Sequence, residues 1–278
     1  MQDYLSHNSN EDNYDQISLI DELPQWSAPF GLDILELVKL KPDITALDVG
    51  SKLGFPLIEL ATRLGESGEV IGLIPWEKAV IRTNYLIRVL HINNATVIKG
   101  ISERMPFEDN SFSLIVSNNC LASVVNIEKS LPEYHRVSKA DAQFIFTMIL
   151  SDTMKEFYNV VENTLIENDL YSEIDHIKIQ NYTHRKPLRD IESTLKASGF
   201  KVRNIKMNKL NISFLDGESL LNHYLVKHWL LDEWKRIINT ENFDRIFLQV
   251  ASQINDIAKT KGEFLLSVHY ATIDSIKC

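Results

Sequence analysis

Glycine is scarce in this chain, at 10 of 278 residues, about half the ~7% of an average protein. Fibrous and glycine-rich low-complexity architectures are excluded. Seven of the ten glycines lie between Gly31 and Gly100, so the backbone conformations that need glycine are concentrated there. Two cysteines, Cys120 and Cys278, are too few for a disulfide framework or a metal knuckle. The reducing cytoplasm is the expected home. No stretch approaches the ~20 apolar residues of a membrane span. The opening MQDYLSHNSNEDNYDQ has neither a basic n-region nor an apolar h-region, so neither secretion nor a membrane is expected.

What is present suffices for a full core, with 44% hydrophobic and 24% charged residues. At ~150 residues per domain the length suggests two units, or one α/β domain with an appended subdomain. The net charge of −9 is unevenly placed. Residues 1–50 hold ten acids and two bases, whereas residues 178–209 hold nine bases and only Asp190 and Glu192 as acids. A basic stretch of this kind can bind nucleic acid. The pI of 5.4 and the lack of interleaved aromatics favour a solvated face or a dock for an acidic arm, and no nucleic-acid partner is expected.

The apolar spacing predicts helices and strands in alternation. Helix 31–40 stops at Lys41-Pro42. Strand Thr45–Val49, the turn Gly50–Gly54 and helix Pro56–Leu64 follow. Next come strand Glu69–Ile74, helix Trp76–Leu90, strand Ala95–Lys99, strand Phe112–Ser117, helix Ile127–Val137 around Pro132, strand Gln143–Ile149 and helix Ser151–Glu167. This order predicts an α/β fold with a doubly wound, mostly parallel sheet. Downstream, helix Leu188–Ser198 ends at Gly199, a strand lies in Phe200–Phe214, one long helix runs from Asp216-Gly217 to Ile238, and another runs from Glu241 to Thr260. A strand at Glu263–Ile273 closes the chain. Three segments are expected: an acidic arm over 1–25, an α/β core over 26–216 and 261–278, and a helical cap over 217–260 inserted before the last strand.

Ligands of open parallel sheets bind beyond the carboxyl ends of the strands, where the strand order reverses, which directs attention to Leu47-Asp48-Val49-Gly50-Ser51-Lys52-Leu53-Gly54. With Glu69-Val70-Ile71-Gly72, the loop Glu103-Arg104-Met105-Pro106-Phe107-Glu108-Asp109-Asn110-Ser111-Phe112 and the strand Leu114-Ile115-Val116-Ser117-Asn118, this resembles the class I S-adenosylmethionine-dependent methyltransferases. The resemblance covers about residues 26–150. It implies a seven-stranded Rossmann-like sheet, S-adenosylmethionine as cofactor, and cofactor contacts at Asp48, Gly50, Ser51, Gly54, Glu103 and Asn118. It assigns no catalytic residue and no metal.

Several positions depart from the family pattern. Lys52 stands at the middle glycine of the turn, bringing a cation towards a sulfonium. Ile74 stands where the family has the carboxylate that holds both ribose hydroxyls, and each unmatched hydroxyl costs ~1–3 kcal/mol. Ile101 replaces an acid that often meets the adenine amine, Ser113 replaces an aspartate, and Lys139-Ala140-Asp141-Ala142 replaces a proline-glycine-glycine turn. The implied reading is a methyltransferase-fold protein with lost or weakened cofactor binding, acting as a non-catalytic structural or regulatory subunit. It would pair with itself or with an active relative. One alternative is an active small-molecule methyltransferase whose pocket is rearranged, Lys52 turning to solvent or Glu103. Another is a sensor whose Lys52 meets an anionic ligand.

Other residues are weaker candidates. Leu220, Leu221, Tyr224, Leu225, His228, Leu231 and Trp234 share a helical face that either packs internally or, extended by Trp229 and Leu230, meets a partner. His223 and His228 are five apart, outside metal-ligand helical spacing. His135 reads as structural or exposed, and His184 as part of the basic stretch. Cys120 follows the fourth predicted strand and reads as packing, or as lining a pocket. Trp26-Ser27-Ala28-Pro29-Phe30, ahead of the first helix, reads either as a hydrophobic staple or as a flap over the cleft.

Overall fold

The computed structural model describes residues 26–121, 127–238 and 240–278. The acidic arm over 1–25 and the side chains of His184 and Trp229 lie outside the described residues. In chain order the elements are α1 (Ser27–Leu37), β1 (Thr45–Val49), α2 (Leu57–Leu64), β2 (Glu69–Ile74), α3 (Glu77–Val89), β3 (Ala95–Lys99), β4 (Phe112–Ser117), α4 (Ile127–Val137), β5 (Ser138–Ile149) and α5 (Lys155–Glu167). Then follow α6 (Tyr171–His184), α7 (Leu188–Ala197), β6 (Phe200–Phe214), α8 (Gly217–Asn222), a π-helical turn (Val226–Leu230), α9 (Leu231–Ile237), α10 (Thr240–Lys261) and β7 (Phe264–Lys277).

The strands form one seven-stranded sheet in the order β3-β2-β1-β4-β5-β7-β6. Pairings from β3 through β5 are parallel, and β7 runs antiparallel to β5 from Gln143↔Ile276 to Ile149↔Tyr270. The expected doubly wound, mostly parallel sheet is therefore what the chain builds. Short apolar strands buried on both faces, such as Ala46 to Val49, are the natural centre of such a sheet. In α2, Leu57, Leu60, Ala61 and Leu64 are buried at helical spacing, which fixes the helix on one face of the sheet.

Two compact units share the chain. One takes its described residues from 26–149 and adds Pro187–Asn208 and Tyr270–Cys278. Its core centres on Phe144, which stacks on Phe146 at 5.0 Å and meets Phe200 at 5.1 Å. The other unit contains Leu150–Lys186 and Lys209–His269. There Trp234 is 1% exposed, stacks on Phe157 at 3.8 Å and donates its indole N–H to the Tyr158 hydroxyl at 3.3 Å. The segment 217–260, read as a cap, falls in this unit together with Leu150–Lys186.

Several elements differ from the sequence expectation. The first helix occupies 27–37 rather than 31–40, so Pro29 and Phe30 lie inside it instead of ahead of it; proline is tolerated there because a first-turn N–H has no partner to lose. The fifth strand begins at Ser138, which pairs with Phe112 before a register shift, and Asp141 takes a positive φ of 58°. The fifth helix starts at Lys155, not Ser151, behind a left-handed Met154. The expected long helix to Ile238 is broken: α8 ends where His223 turns extended, with ψ 137°, and the π-helical turn precedes α9. Helix Tyr171–His184 was not anticipated.

The face from Leu220 to Trp234 is inside its unit. Leu220, Leu221, Leu225, Leu231 and Trp234 are each at most 4% exposed, so they are packing and not open surface. Arg185 of the basic stretch is 7% exposed, and its guanidinium donates to the Thr153 carbonyl at 3.3 Å.

Candidate functional site

The strand order reverses between β1 and β4, and a cleft opens at their carboxyl ends with about 450 Å³ of empty space continuous with solvent. Gly50, Ser51 and Lys52 form its inner wall, Asn118 and Asn119 a second wall, and the aromatic rings of Trp26, Phe30 and Phe55 a third.

The inner wall is held by backbone constraints. The Gly50 N–H donates to the Leu73 carbonyl at 2.9 Å. Gly50 has φ +82°, and a Cβ there would stand 2.4 Å from Cys120 Sγ, so any side chain would clash as well as strain the backbone. Lys52 has φ 45°, a left-handed conformation costing a non-glycine residue ~1–3 kcal/mol. The Thr83 hydroxyl donates to the Lys52 carbonyl at 3.3 Å, helping to fix that turn.

Beneath this wall Asp48 is fully buried, and neither carboxyl oxygen has a hydrogen-bond partner. Burial raises its pKa from 3.8 to about 8, the nearby Leu57 backbone offsetting only part of the effect. The carboxyl is therefore predominantly protonated at neutral pH. The Ser51 hydroxyl is also buried without a partner.

The second wall is tied to the third. The Asn118 side-chain amide donates to the Ser27 carbonyl at 3.1 Å, and the Asn119 backbone N–H donates to the Thr147 hydroxyl at 2.9 Å. Of the six positions assigned by resemblance, Gly50, Ser51 and Asn118 line the cleft. Asp48 lies below it, and Gly54 sits back against Ile58 and Thr83. Glu103 is exposed and accepts from the Ser102 hydroxyl at 3.0 Å. Ile74, at the end of β2, is fully buried, whereas Ile101 is 51% exposed.

Phe55 was not singled out from sequence, whereas Asn119 lies, as expected, at the mouth of β4 beside Asn118. A signal for Phe55 existed in Gly31, where a Cβ would stand 2.2 Å from the Phe55 ring. The Trp26–Phe30 segment does line the cleft. Among the described residues no three or more histidine, cysteine, aspartate or glutamate side chains group as a metal site, and no helix is long and apolar enough to cross a membrane.

A parallel sheet with an antiparallel seventh strand and a cleft at its switch point defines an α/β protein whose candidate ligand site lies beyond β1 and β4. The chain belongs to the methyltransferase domain family, which it matches over residues 40–239. It is 27% identical over 146 residues to malonyl-[acyl-carrier protein] O-methyltransferase 1 of Coxiella burnetii, an alignment covering 52% of this chain and 46% of that protein. It thus spans about half the length of that relative. In fold it is similar to the YcgJ protein of Bacillus subtilis, with TM-score 0.60, 17% identity, and 90% and 98% of the two chains covered. It is also similar to phosphoethanolamine N-methyltransferase 2 of Haemonchus contortus, solved in complex with S-adenosyl-L-methionine, with TM-score 0.54, 17% identity, and 89% and 52% covered.

Proposed function

We propose that this chain is a methyltransferase-fold protein that holds S-adenosylmethionine weakly or not at all and serves as a non-catalytic subunit, paired with an active relative or with itself. The observation that carries the reading is Ile74. The position that resemblance gives to the ribose-binding carboxylate is an apolar side chain with no exposed surface, so two ribose hydroxyls would lose water without gaining an acceptor. Lys52 adds to this, since it lines the cleft and sets a cation against a sulfonium. The residues present do not fit the whole cofactor. Two cysteines free of disulfides are in keeping with a cytoplasmic setting.

One observation favours a second reading, an active enzyme with a rearranged pocket. Both Asp48 oxygens and the Ser51 hydroxyl are buried without a partner beside the Gly50 turn, leaving acceptors that a ligand ammonium reaching beneath that turn would satisfy. Isothermal titration of the isolated chain with S-adenosylmethionine separates the two. No heat of binding up to about millimolar ligand supports the first reading, and micromolar binding overturns it. Copurification from the native host tests the subunit role: recovery of the chain alone counts against it.

A further inference from the structure

Helix α3 carries more apolar surface than its packing uses. Ala79, Val80, Thr83 and Ile87 are buried on its inner face, and one such face is what an amphipathic helix needs to sit on a sheet. On the outer face Ile81, Tyr85 and Val89 recur every four residues and are each more than half exposed. Side chains at that spacing touch one another, so they form one continuous stripe. We propose that this stripe is the seat of residues 17–25 of the same chain, which fold back across α3 before the chain enters α1.

The first support is composition. Ile17-Ser18-Leu19-Ile20-Asp21-Glu22-Leu23-Pro24-Gln25 holds four large apolar residues, two acids and no lysine or arginine. Helix α3 is its complement, with Lys78, Arg82 and Arg88 beside the stripe and a single acid, Glu77, which meets Lys99 at 3.6 Å.

The second support is reach. The segment ends at Trp26, which lines the cleft together with Lys52, and the Lys52 carbonyl accepts from the Thr83 hydroxyl of α3 at 3.3 Å. A nine-residue segment extends up to ~30 Å, enough to pass round a helix ~10 Å thick and along much of its ~20 Å length. Seated there, it anchors the chain leading into Trp26 and so holds one wall of the cleft.

Other pairings fit less well. A second copy's α3, antiparallel and centred on Tyr85, would set Arg82 against Arg88, each three residues from that centre, and like charges repel. The basic 178–209 stretch, expected to take an acidic arm, uses Lys206 on Asp33 and Glu36 and Arg203 on Asp274.

Hydrogen exchange of the full chain, read by mass spectrometry on peptides covering 17–25, measures the contact. Exchange there is expected to be slowed at least about tenfold relative to an unstructured peptide, equally at about 50 µM and about 0.5 µM chain. Ile81→Ser with Tyr85→Ser changes only exposed side chains, so the melting temperature should stay within a few degrees while exchange in 17–25 becomes fast. Ile20→Ser with Leu23→Ser should release the segment in the same way, and Lys201→Ser, in the basic stretch, should leave it protected. Fast exchange of 17–25 in the parent, or protection that survives Ile81→Ser with Tyr85→Ser, would overturn the assignment. Protection that falls on dilution would overturn it in favour of a second copy. Sedimentation with phosphatidylglycerol vesicles, abolished by the same two α3 substitutions, would overturn it in favour of a lipid surface.

Discussion

The Lys206 ammonium lies 2.7 Å from the Asp33 carboxylate, joining the acidic first fifty residues to the basic 178–209 stretch within one unit. Glu36 adds a second acceptor at 2.8 Å. Asp33 also accepts from the Asn208 side chain and from the Tyr270 hydroxyl, each at 2.7 Å. The charge asymmetry of the sequence is therefore partly internal pairing. Burial, followed by the Asp33 contact, raises the Tyr270 pKa.

Asparagine in place of Asp33 removes the charge and one of the two oxygens that serve three donors. Asp33→Asn is expected to lower stability by about 1–3 kcal/mol in urea unfolding. Lys206→Met should cost less than about 1 kcal/mol, because its side chain is 38% exposed and surface pairs are screened. A larger loss for Lys206→Met than for Asp33→Asn would show that the carboxylate is not the centre of this cluster.

Asp48 makes stability depend on pH. Unfolded, its carboxyl ionises near 3.8; folded, it holds its proton to about 8. Between those values the folded chain binds more protons, so stability falls as pH rises and stops falling above about 8. Asp48→Asn lacks this proton, and its advantage in melting temperature over the parent should widen from about pH 5 to about pH 8. A constant difference across that range would show that Asp48 titrates normally.

Gly50 tests the inner wall. Gly50→Ala introduces a methyl 2.4 Å from Cys120 Sγ at φ +82°, and is expected to cost more than about 2 kcal/mol. Adding Cys120→Gly should relieve the clash and leave about 1–2 kcal/mol of left-handed strain. No recovery in the double variant would place the cost elsewhere.

On the proposed reading, cofactor binding is recoverable by design. Lys52→Gly with Ile74→Asp removes the opposing charge and supplies the ribose acceptor, and is expected to raise affinity for S-adenosylmethionine by at least about tenfold. Calorimetry on the parent and the double variant reads this directly. Unchanged affinity would mean that these two residues are not what weakens the site.

The sheet was legible because each strand through β4 is a short apolar run bounded by a turn, and Thr45–Val49, Glu69–Ile74, Ala95–Lys99 and Phe112–Ser117 match the sequence reading. Elements set by tertiary contacts were not. Helix Tyr171–His184 carries little apolar periodicity, and the break at His223 accompanies packing of its ring against Phe214 at 5.3 Å, neither of which local pattern reveals. The site was half legible. Resemblance placed Gly50, Ser51 and Asn118 at the cleft, which they line, whereas Phe55 depends on how α1 packs against the turn after β1.

The burial of Ile74 also governs how the site could change through inheritance. An aspartate at that position alone would be a carboxylate in a place with no exposed surface, while a glycine at position 52 alone supplies no acceptor for a ribose. On the proposed reading, either change alone brings a loss of stability or no gain in binding, so cofactor binding returns only when both positions change.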